Sequence, residues 1–295
     1  MYELIQINEN DYYIDCPTKI GVVKTGGNDV VFIDSGNDKD AAKKALKAIG
    51  EKGWTLKAVY ATHAHADHIG GNRLLSERTG CRLYARGVES AYARFTGFNP
   101  SSLWGGLPVA ELRHKFLLAQ ESDTMLLSEE VLPQGWKIIE LPGHSPDMTG
   151  YLTPDGTAYI GDALIAAETV EKHGVFFLFD PGKTVESLEI IKNVPAKFFV
   201  PSHAAAADNV SALADLNREA ILKLQRLIID ICAEPGTFEE ILRSVFTEYG
   251  MLMTAQTYAL TGSTVRSYIS GLYSDGKLTY VFEDNRMLWK IPDVK

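Results

Sequence analysis

The sequence predicts an α/β protein. Short runs of β-branched and aromatic residues alternate with helical patterns through the first two thirds of the chain, and several of these runs stop at a histidine or an aspartate. Hydrophobic residues make up 45% of the 295 residues and charged residues 23%, which is ordinary for a globular protein with a buried core. Together these observations favour β-sheets with the candidate functional side chains at the ends of their strands.

The predicted strands follow in order along the chain. Residues 20–24 and 30–33 flank a Gly-Gly-Asn-Asp turn, a helical pattern then places apolar residues at Ala42, Leu46 and Ile49, and residues 57–61 form a buried strand. Further strands are predicted at residues 137–141, 149–152, 158–160 and 197–200. A rigid sheet can present the side chains at its strand ends together at one rim.

Residues 86–123 form an insertion without a clear strand pattern. Phe95, Trp104 and Phe116 are among the side chains that make it too apolar for a disordered linker. Two interpretations stay open, a segment that packs on the core and a lid that covers substrate, since long ordered loops are often functional.

The pattern changes after residue 203. Helices are predicted at 217–231, 238–246 and 264–273, and residues 277–281 and 286–290 form a hairpin. We therefore expect a catalytic domain over residues 1–210 and a small α+β, winged-helix-like domain over residues 211–295.

The densest cluster of metal-ligand types is His63-x-His65-x-Asp67-His68. In an extended segment His63 and His65 point to the same side and can share one ion, while Asp67 and His68 begin the next turn and can reach a second ion. Imidazole with carboxylate suits zinc, and also iron or manganese. A structural zinc site would favour cysteine, and Cys16, Cys81 and Cys232 lie outside every motif.

With these residues and three later motifs, the chain resembles the metallo-β-lactamase superfamily. Asp34 matches that family's first motif, His144 in Pro-Gly-His-Ser the third, Asp162 in Gly-Asp-Ala the fourth and His203 in Pro-Ser-His the fifth. The resemblance covers the first two thirds of the chain. It implies an αββα sandwich with a site for two divalent metal ions at one edge of the sheets.

The resemblance also implies a ligand assignment. The first ion would be held by His63, His65 and His144, the second by Asp67, His68 and His203, and Asp162 would bridge them opposite a shared water or hydroxide. Asp34 would orient the motif without binding metal, and Asp67 would accept and donate the proton during catalysis. His114 and His173 fall outside the motifs and stay unassigned.

The substrate is left open among three hypotheses. The Asp162 bridge and the absence of a cysteine ligand resemble the glyoxalase II, lactonase and nuclease branches, which implies a small-molecule thioester, lactone or ester, or else a phosphodiester. An iron-dependent sulfur dioxygenase is the third hypothesis, and the full set of second-metal ligands favours hydrolysis over it.

Charge disfavours a nucleic-acid partner. The net charge is −9, and residues 205–295 carry 9 Lys or Arg against 12 Asp or Glu, with Arg266 alone on the candidate recognition helix. Phosphate binding needs several cations. The acidic N-terminus and the lack of a long apolar run predict a cytoplasmic protein without a signal peptide or membrane span. A homodimer is left open.

Overall fold

Two facing β-sheets form the centre of the molecule in the computed structural model, which describes residues 2–293. The first sheet runs in chain order, antiparallel from β1 to β4 and parallel from β4 to β7. Its strands are β1 (Glu3–Gln6), β2 (Asp11–Asp15), β3 (Ile20–Gly26), β4 (Asp29–Ile33), β5 (Thr55–Tyr60), β6 (Arg82–Ala85) and β7 (Met125–Leu126).

The second sheet has the order β11-β10-β9-β8, with β10 and β11 parallel and the other pairs antiparallel. Its strands are β8 (Lys137–Glu140), β9 (Thr149–Leu152), β10 (Thr157–Gly161) and β11 (Phe198–Pro201). A separate hairpin near the end of the chain consists of β12 (Thr279–Glu283) and β13 (Arg286–Lys290).

Helices cover the outer faces of both sheets. They are α1 (Lys39–Gly50), α2 (Ala66–Ile69), α3 (Asn72–Thr79), α4 (Gly87–Arg94), α5 (Phe98–Trp104), α6 (Ala167–His173), α7 (Pro181–Asn193), α8 (Ser211–Ile231), α9 (Phe238–Glu248) and α10 (Ala255–Ser274). Among residues 2–293, none of these helices combines the length and the apolar character that a bilayer crossing requires.

The alternation of side chains along β4 explains the layers. Val30 and Phe32 pack with α1, whereas Val31 and Ile33 point the other way and pack against tyrosines of the second sheet, including Tyr159. Because successive residues of a strand face opposite sides, a strand that is apolar at every position must be covered on both faces. The result is the predicted αββα sandwich, and the fold class is confirmed.

The C-terminal helices share a core with the second sheet. Ala158 and Ile160 of β10 lie in one buried cluster with Leu188 of α7 and with Ile221 and Leu224 of α8. The segment after residue 210 therefore packs directly on the second sheet. The division into residues 1–210 and 211–295 stays a prediction.

The structure changes several predicted bounds. The helices expected at 217–231 and 264–273 are longer, Ser211–Ile231 and Ala255–Ser274. The insertion at 86–123 contains α4, α5 and a short 3₁₀ turn at Ala110–Leu112. Strands β1, β2, β6 and β7 and helices α6 and α7 were not predicted.

Candidate metal centre

Strand ends bring the predicted ligands to one edge of the sandwich. Asp34 follows β4, His63 follows β5, His144 lies in the loop after β8, Asp162 directly follows β10, and His203 follows β11. Strands β4 and β5 are parallel, as are β10 and β11, so the carboxyl ends within each pair meet at the same edge. The turn after β5 then starts α2, which carries Asp67 and His68.

One set of ligand atoms, which we call the three-histidine group, consists of His63 Nε2, His65 Nδ1 and His144 Nε2. The His65 atom lies 2.9 Å from each of the other two. Burial is the main reason why the pKa of His65 falls to about 3 and why the pKa values of His63 and His144 are also lowered. All three rings are therefore neutral near pH 7 and can offer lone pairs to one metal ion.

The second set, which we call the aspartate group, consists of Asp67, His68 and His203. Asp67 Oδ2 lies 3.0 Å from His203 Nε2 and 3.6 Å from His68 Nε2. The far side of the His203 ring is fixed by a hydrogen bond from Nδ1 to the carbonyl of Pro17, at 2.9 Å. That bond directs His203 Nε2 towards Asp67 and Asp162, the side of the ring on which a metal ion would bind.

Asp162 lies between the two groups. Its Oδ2 atom is 3.4 Å from His144 Nε2 and 3.5 Å from His203 Nε2, while its Oδ1 atom is 3.2 Å from His68 Nε2. Burial opposes ionisation of Asp162, but His68 and His203 outweigh burial and hold its pKa well below the ordinary range. Asp162 Oδ1 and His68 Nε2 are both buried and make no hydrogen bond within the described residues. Buried polar atoms are normally satisfied, so this pair fits divalent metal ligation well.

Asp34 contacts His68 but belongs to neither ligand group. Its carboxylate accepts hydrogen bonds from His68 Nδ1 at 2.7 Å and from the backbone and hydroxyl of Thr62 at 2.7 and 2.8 Å. Asp34 itself has a φ of 62°, a left-handed conformation that aspartate tolerates better than most residues. The His68 contact occupies Nδ1 and leaves Nε2 facing Asp162, and the role of Asp34 in orienting the ligands stays a prediction.

Two glycines allow the ligand loops to approach. Gly143, just before His144, has a φ of 131°, and a Cβ there would overlap the backbone of Thr184. Gly161, just before Asp162, has a φ of 54°, and its Cβ would lie 2.8 Å from the hydroxyl of Thr62. Both positions require glycine for conformation and for space.

A buried carboxylate in the insertion, Glu89, was missed by sequence reasoning. Its Oε2 accepts the Ala64 N–H at 2.9 Å, and its Oε1 accepts the Ser145 hydroxyl at 2.8 Å and the Asp147 N–H at 3.1 Å. Ala64 separates His63 from His65, and Ser145 follows His144 in the chain. Glu89 therefore ties together the two loops that supply the three-histidine group. No spacing in the sequence signals this contact.

The two unassigned histidines lie elsewhere. His173 ends α6 and lines a different cavity beside Lys172 and Tyr249. His114 accepts a hydrogen bond from the backbone of Phe116 in the insertion. Neither belongs to the ligand groups found within residues 2–293.

The chain belongs to the metallo-beta-lactamase superfamily, because the model of that family matches residues 13–203. A probable metallo-hydrolase of Bacillus subtilis is 28% identical over 229 residues, which is 72% of this chain and 78% of that protein. A hydroxyacylglutathione hydrolase of Rhodopseudomonas palustris is 29% identical over 143 residues, 48% of this chain and 45% of that protein. The chain thus spans less than half of the second relative.

Solved structures show the same fold at low identity. A beta-lactamase domain protein from Burkholderia ambifaria matches with a TM-score of 0.75 at 18% identity, covering 98% of this chain and 94% of that one. A metallo-beta-lactamase from Pseudomonas aeruginosa matches with a TM-score of 0.56 at 16% identity, covering 76% of this chain and 96% of that one. The first likeness includes the C-terminal helices, and the second covers about three quarters of the chain.

Proposed function

We propose that this chain is a dinuclear metal-dependent hydrolase that acts on a small-molecule thioester, lactone or ester. The observation that carries the proposal is the placement of Asp162, whose two oxygens face the three-histidine group and the aspartate group at the same time. A carboxylate in that position can bridge two ions. Zinc suits the nitrogen and oxygen donors best, and iron or manganese are the alternatives.

Two divalent ions, when bound, would polarise a carbonyl oxygen and make a water acidic enough to attack near neutral pH. The side chains of this protein would bind and orient the ions. The three-histidine group and the aspartate group would hold the ions, Asp162 would lie between them, and Asp34 would keep His68 in the correct tautomer. The cavity that borders His65, Asp67, His144 and Asp162 would leave room for substrate beside the ions.

Asp67 is the proposed proton carrier. Its Oδ2 accepts hydrogen bonds from the Thr18 hydroxyl at 3.1 Å and from His203 at 3.0 Å, and 27% of its side chain remains exposed to the cavity side. Burial raises the pKa of Asp67, but His68 and His203 outweigh burial and lower that pKa, so the carboxylate is in the unprotonated form that a proton acceptor requires.

Carboxylic-ester chemistry is favoured over the alternatives by the relatives. Several are named hydroxyacylglutathione hydrolase, and an acyl-glutathione bond is a thioester. The runner-up is a phosphodiesterase or single-strand nuclease that uses the same residues, and a sulfur dioxygenase is third. The acidic total charge and the few cations after residue 205 speak against a nucleic-acid substrate.

For the C-terminal segment we propose a winged-helix-like module without nucleic-acid binding. Its three helices precede the hairpin β12–β13, and Gly236, between α8 and α9, forms an antiparallel bridge with Trp289 of the hairpin. Its proposed role is to pack on the catalytic sheets and close the substrate cavity. A cytoplasmic location and a homodimer remain predictions.

A substrate panel tests the proposed reaction. Zinc-loaded protein is offered thioesters, lactones, bis-p-nitrophenyl phosphate and single-stranded RNA, with elemental analysis of the protein as purified. We expect turnover of at least one thioester, lactone or ester, and its loss in His65→Ala together with the metal. Turnover by a metal-free His65→Ala protein would falsify the mechanism, and turnover of phosphodiesters alone would replace the proposal with its runner-up.

A further inference from the structure

A cavity of about 280 Å³ opens onto the metal centre. Its floor includes ligand residues from both groups, and its charged lining consists of Asp67, Glu89 and Asp162. No lysine or arginine of residues 2–293 is among the residues that line it. The carboxylates of Asp67 and Asp162 lie against histidines of the two ligand groups. The carboxylate of Glu89 accepts three hydrogen bonds from the ligand loops. An anionic group held against the walls of this cavity, away from the metal centre, would therefore meet no lysine or arginine of the described residues.

The walls of the cavity are mainly apolar, with a few polar side chains such as Asn99 and Ser263 among them. The ring of Phe177 contacts His65 and His144 edge-on, with centroids 5.4 and 5.7 Å away. Phe116 and Phe179 also line the cavity and are about half exposed, at 55% and 50%. Aromatic side chains left open beside a polar floor are typical of a pocket that buries the apolar part of a small ligand.

The wall is shared between the insertion and the C-terminal segment. Leu103 of α5 and Leu260 of α10 both line the cavity, and the two helices meet where the rings of Trp104 and Tyr258 pack edge-on at 6.0 Å. One turn beyond Leu260, the Thr264 hydroxyl accepts the backbone N–H of Leu178 at 3.1 Å. Helix α10 thereby holds the loop that carries the two phenylalanines beside Leu178.

We propose that this cavity holds the uncharged, apolar acyl group of the substrate, so that the enzyme selects alkyl or aryl acyl groups over anionic ones. The inference rests on the proposed hydrolysis and specifies its substrate. Helices α5 and α10 set the size of the acyl group, which gives the C-terminal segment a part in specificity.

A series of thioesters with one neutral leaving group, N-acetylcysteamine, tests the proposal on zinc-loaded protein. The acyl groups are acetyl, butyryl, hexanoyl and succinyl, of which the last is a four-carbon match to butyryl with a carboxylate. We expect kcat/KM to rise by up to about fourfold per added methylene, and succinyl to fall about tenfold or more below butyryl.

A charge placed in the wall should reverse the preference. Leu260→Lys is expected to raise the succinyl-to-butyryl ratio about tenfold, whereas Ile190→Lys, on the exposed side of α7, should leave it unchanged. Ser263→Lys, in the same wall, repeats the test if the first variant does not fold. Succinyl preferred by the unmodified protein, or a ratio that neither wall variant moves, overturns the inference and leaves the proposed hydrolysis intact.

A binding experiment separates failure of the apolar-cavity proposal from failure of the proposed hydrolysis. Binding of hexanamide is measured by ligand-observed NMR. Binding by the unmodified protein and by Ile190→Trp, with loss in Leu260→Trp, supports the apolar cavity even if no thioester is turned over. Absence of hexanamide binding to the unmodified protein overturns the inference.

Discussion

The three-histidine group and the aspartate group lie side by side yet differ in environment. His63 and His144 are 0% and 6% exposed. In the aspartate group His68 is also buried, but the side chains of Asp67 and His203 are 27% and 33% exposed. Burial lowers the pKa values of the first group, and carboxylates raise the pKa values of the imidazoles of the second group while no metal is bound. The first group is therefore preorganised for an ion, and the second must exchange protons for one.

Removal of the residue that joins the groups should have the largest effect. Asp162→Ala is expected to lower metal affinity by more than the roughly 100-fold typical of outer partners, and to lower kcat/KM by about 10³-fold or more. Metal content and thioester turnover check this, with Asp208→Ala, an exposed aspartate after β11, as the control. Full metal content in Asp162→Ala would contradict the bridging position.

Removal of one ligand from each group should affect the two bound ions differently. We expect His65→Ala to lose the ion of the three-histidine group and with it all turnover, because a buried set with one ligand missing keeps only two neutral donors. His203→Ala should retain one ion and weaken the other, since His203 lies at the exposed side of the aspartate group. Metal titration of the two variants and of His173→Ala measures the difference. Equal loss of both ions in both variants would show that the groups bind as one unit.

Proton release should also differ between the groups. Burial lowers the pKa of His68 and His203, but Asp162 and Asp67 outweigh it and raise both values above 6.5. Protons therefore occupy these rings below their raised pKa and must leave when metal binds. Affinity for the ion of the aspartate group should fall as pH falls, about tenfold per pH unit for each proton displaced.

The three-histidine group should show no such dependence near pH 7, because its pKa values are lowered and its rings are already neutral. Calorimetric titration of metal-free protein in buffers of different ionisation enthalpy counts the protons released at each step. Equal release for both ions would contradict the contrast between the groups.

Sequence predicted the strands that carry ligands better than the rest of the fold. Strand β10 combines an apolar run with an abrupt Gly-Asp end. The pattern therefore predicted both the position of the strand and the candidate ligand at its end. Helix α7 was missed although Asp180 caps it and Pro181 begins it, because its apolar residues are spread among polar ones. Helix α10 begins nine residues before the predicted start, since its cap pairs Thr254 with Thr257 instead of a glutamate.

Some residues of the site could likewise be predicted from the sequence, and others could not. Ligand types clustered in His63-x-His65-x-Asp67-His68 can be recognised from spacing, and Asp34 from its family motif. Glu89 cannot, because it reaches Ala64 and Ser145 across 25 and 56 residues of sequence through packing of the insertion. Tertiary contacts of that kind produce no periodic pattern in the sequence.

The smallest expected effect concerns this support of the three-histidine group. Glu89→Gln keeps the shape of the side chain but replaces one acceptor oxygen with an amide N–H₂. Either the Ala64 N–H or the donors of Ser145 and Asp147 then lose their acceptor, which costs about 1–3 kcal/mol for a buried donor. We expect kcat/KM and affinity for the ion of the three-histidine group to fall about tenfold, with the aspartate group unaffected.

Glu140→Gln provides the matched control, since the side chain of this exposed glutamate at the end of β8 makes an ion pair with Arg86 and, among the described residues, no hydrogen bond to either ligand loop. Metal affinity of both groups and kcat/KM should remain at the level of the unmodified protein in that variant. Because Glu89 acts through loop position, its replacement should change the affinity of one ion selectively, and a purely structural role would lower thermal stability while leaving the ratio of the two affinities constant. A constant ratio in Glu89→Gln would therefore assign Glu89 to folding, and a ratio shifted about tenfold would assign it to the geometry of the buried ligands.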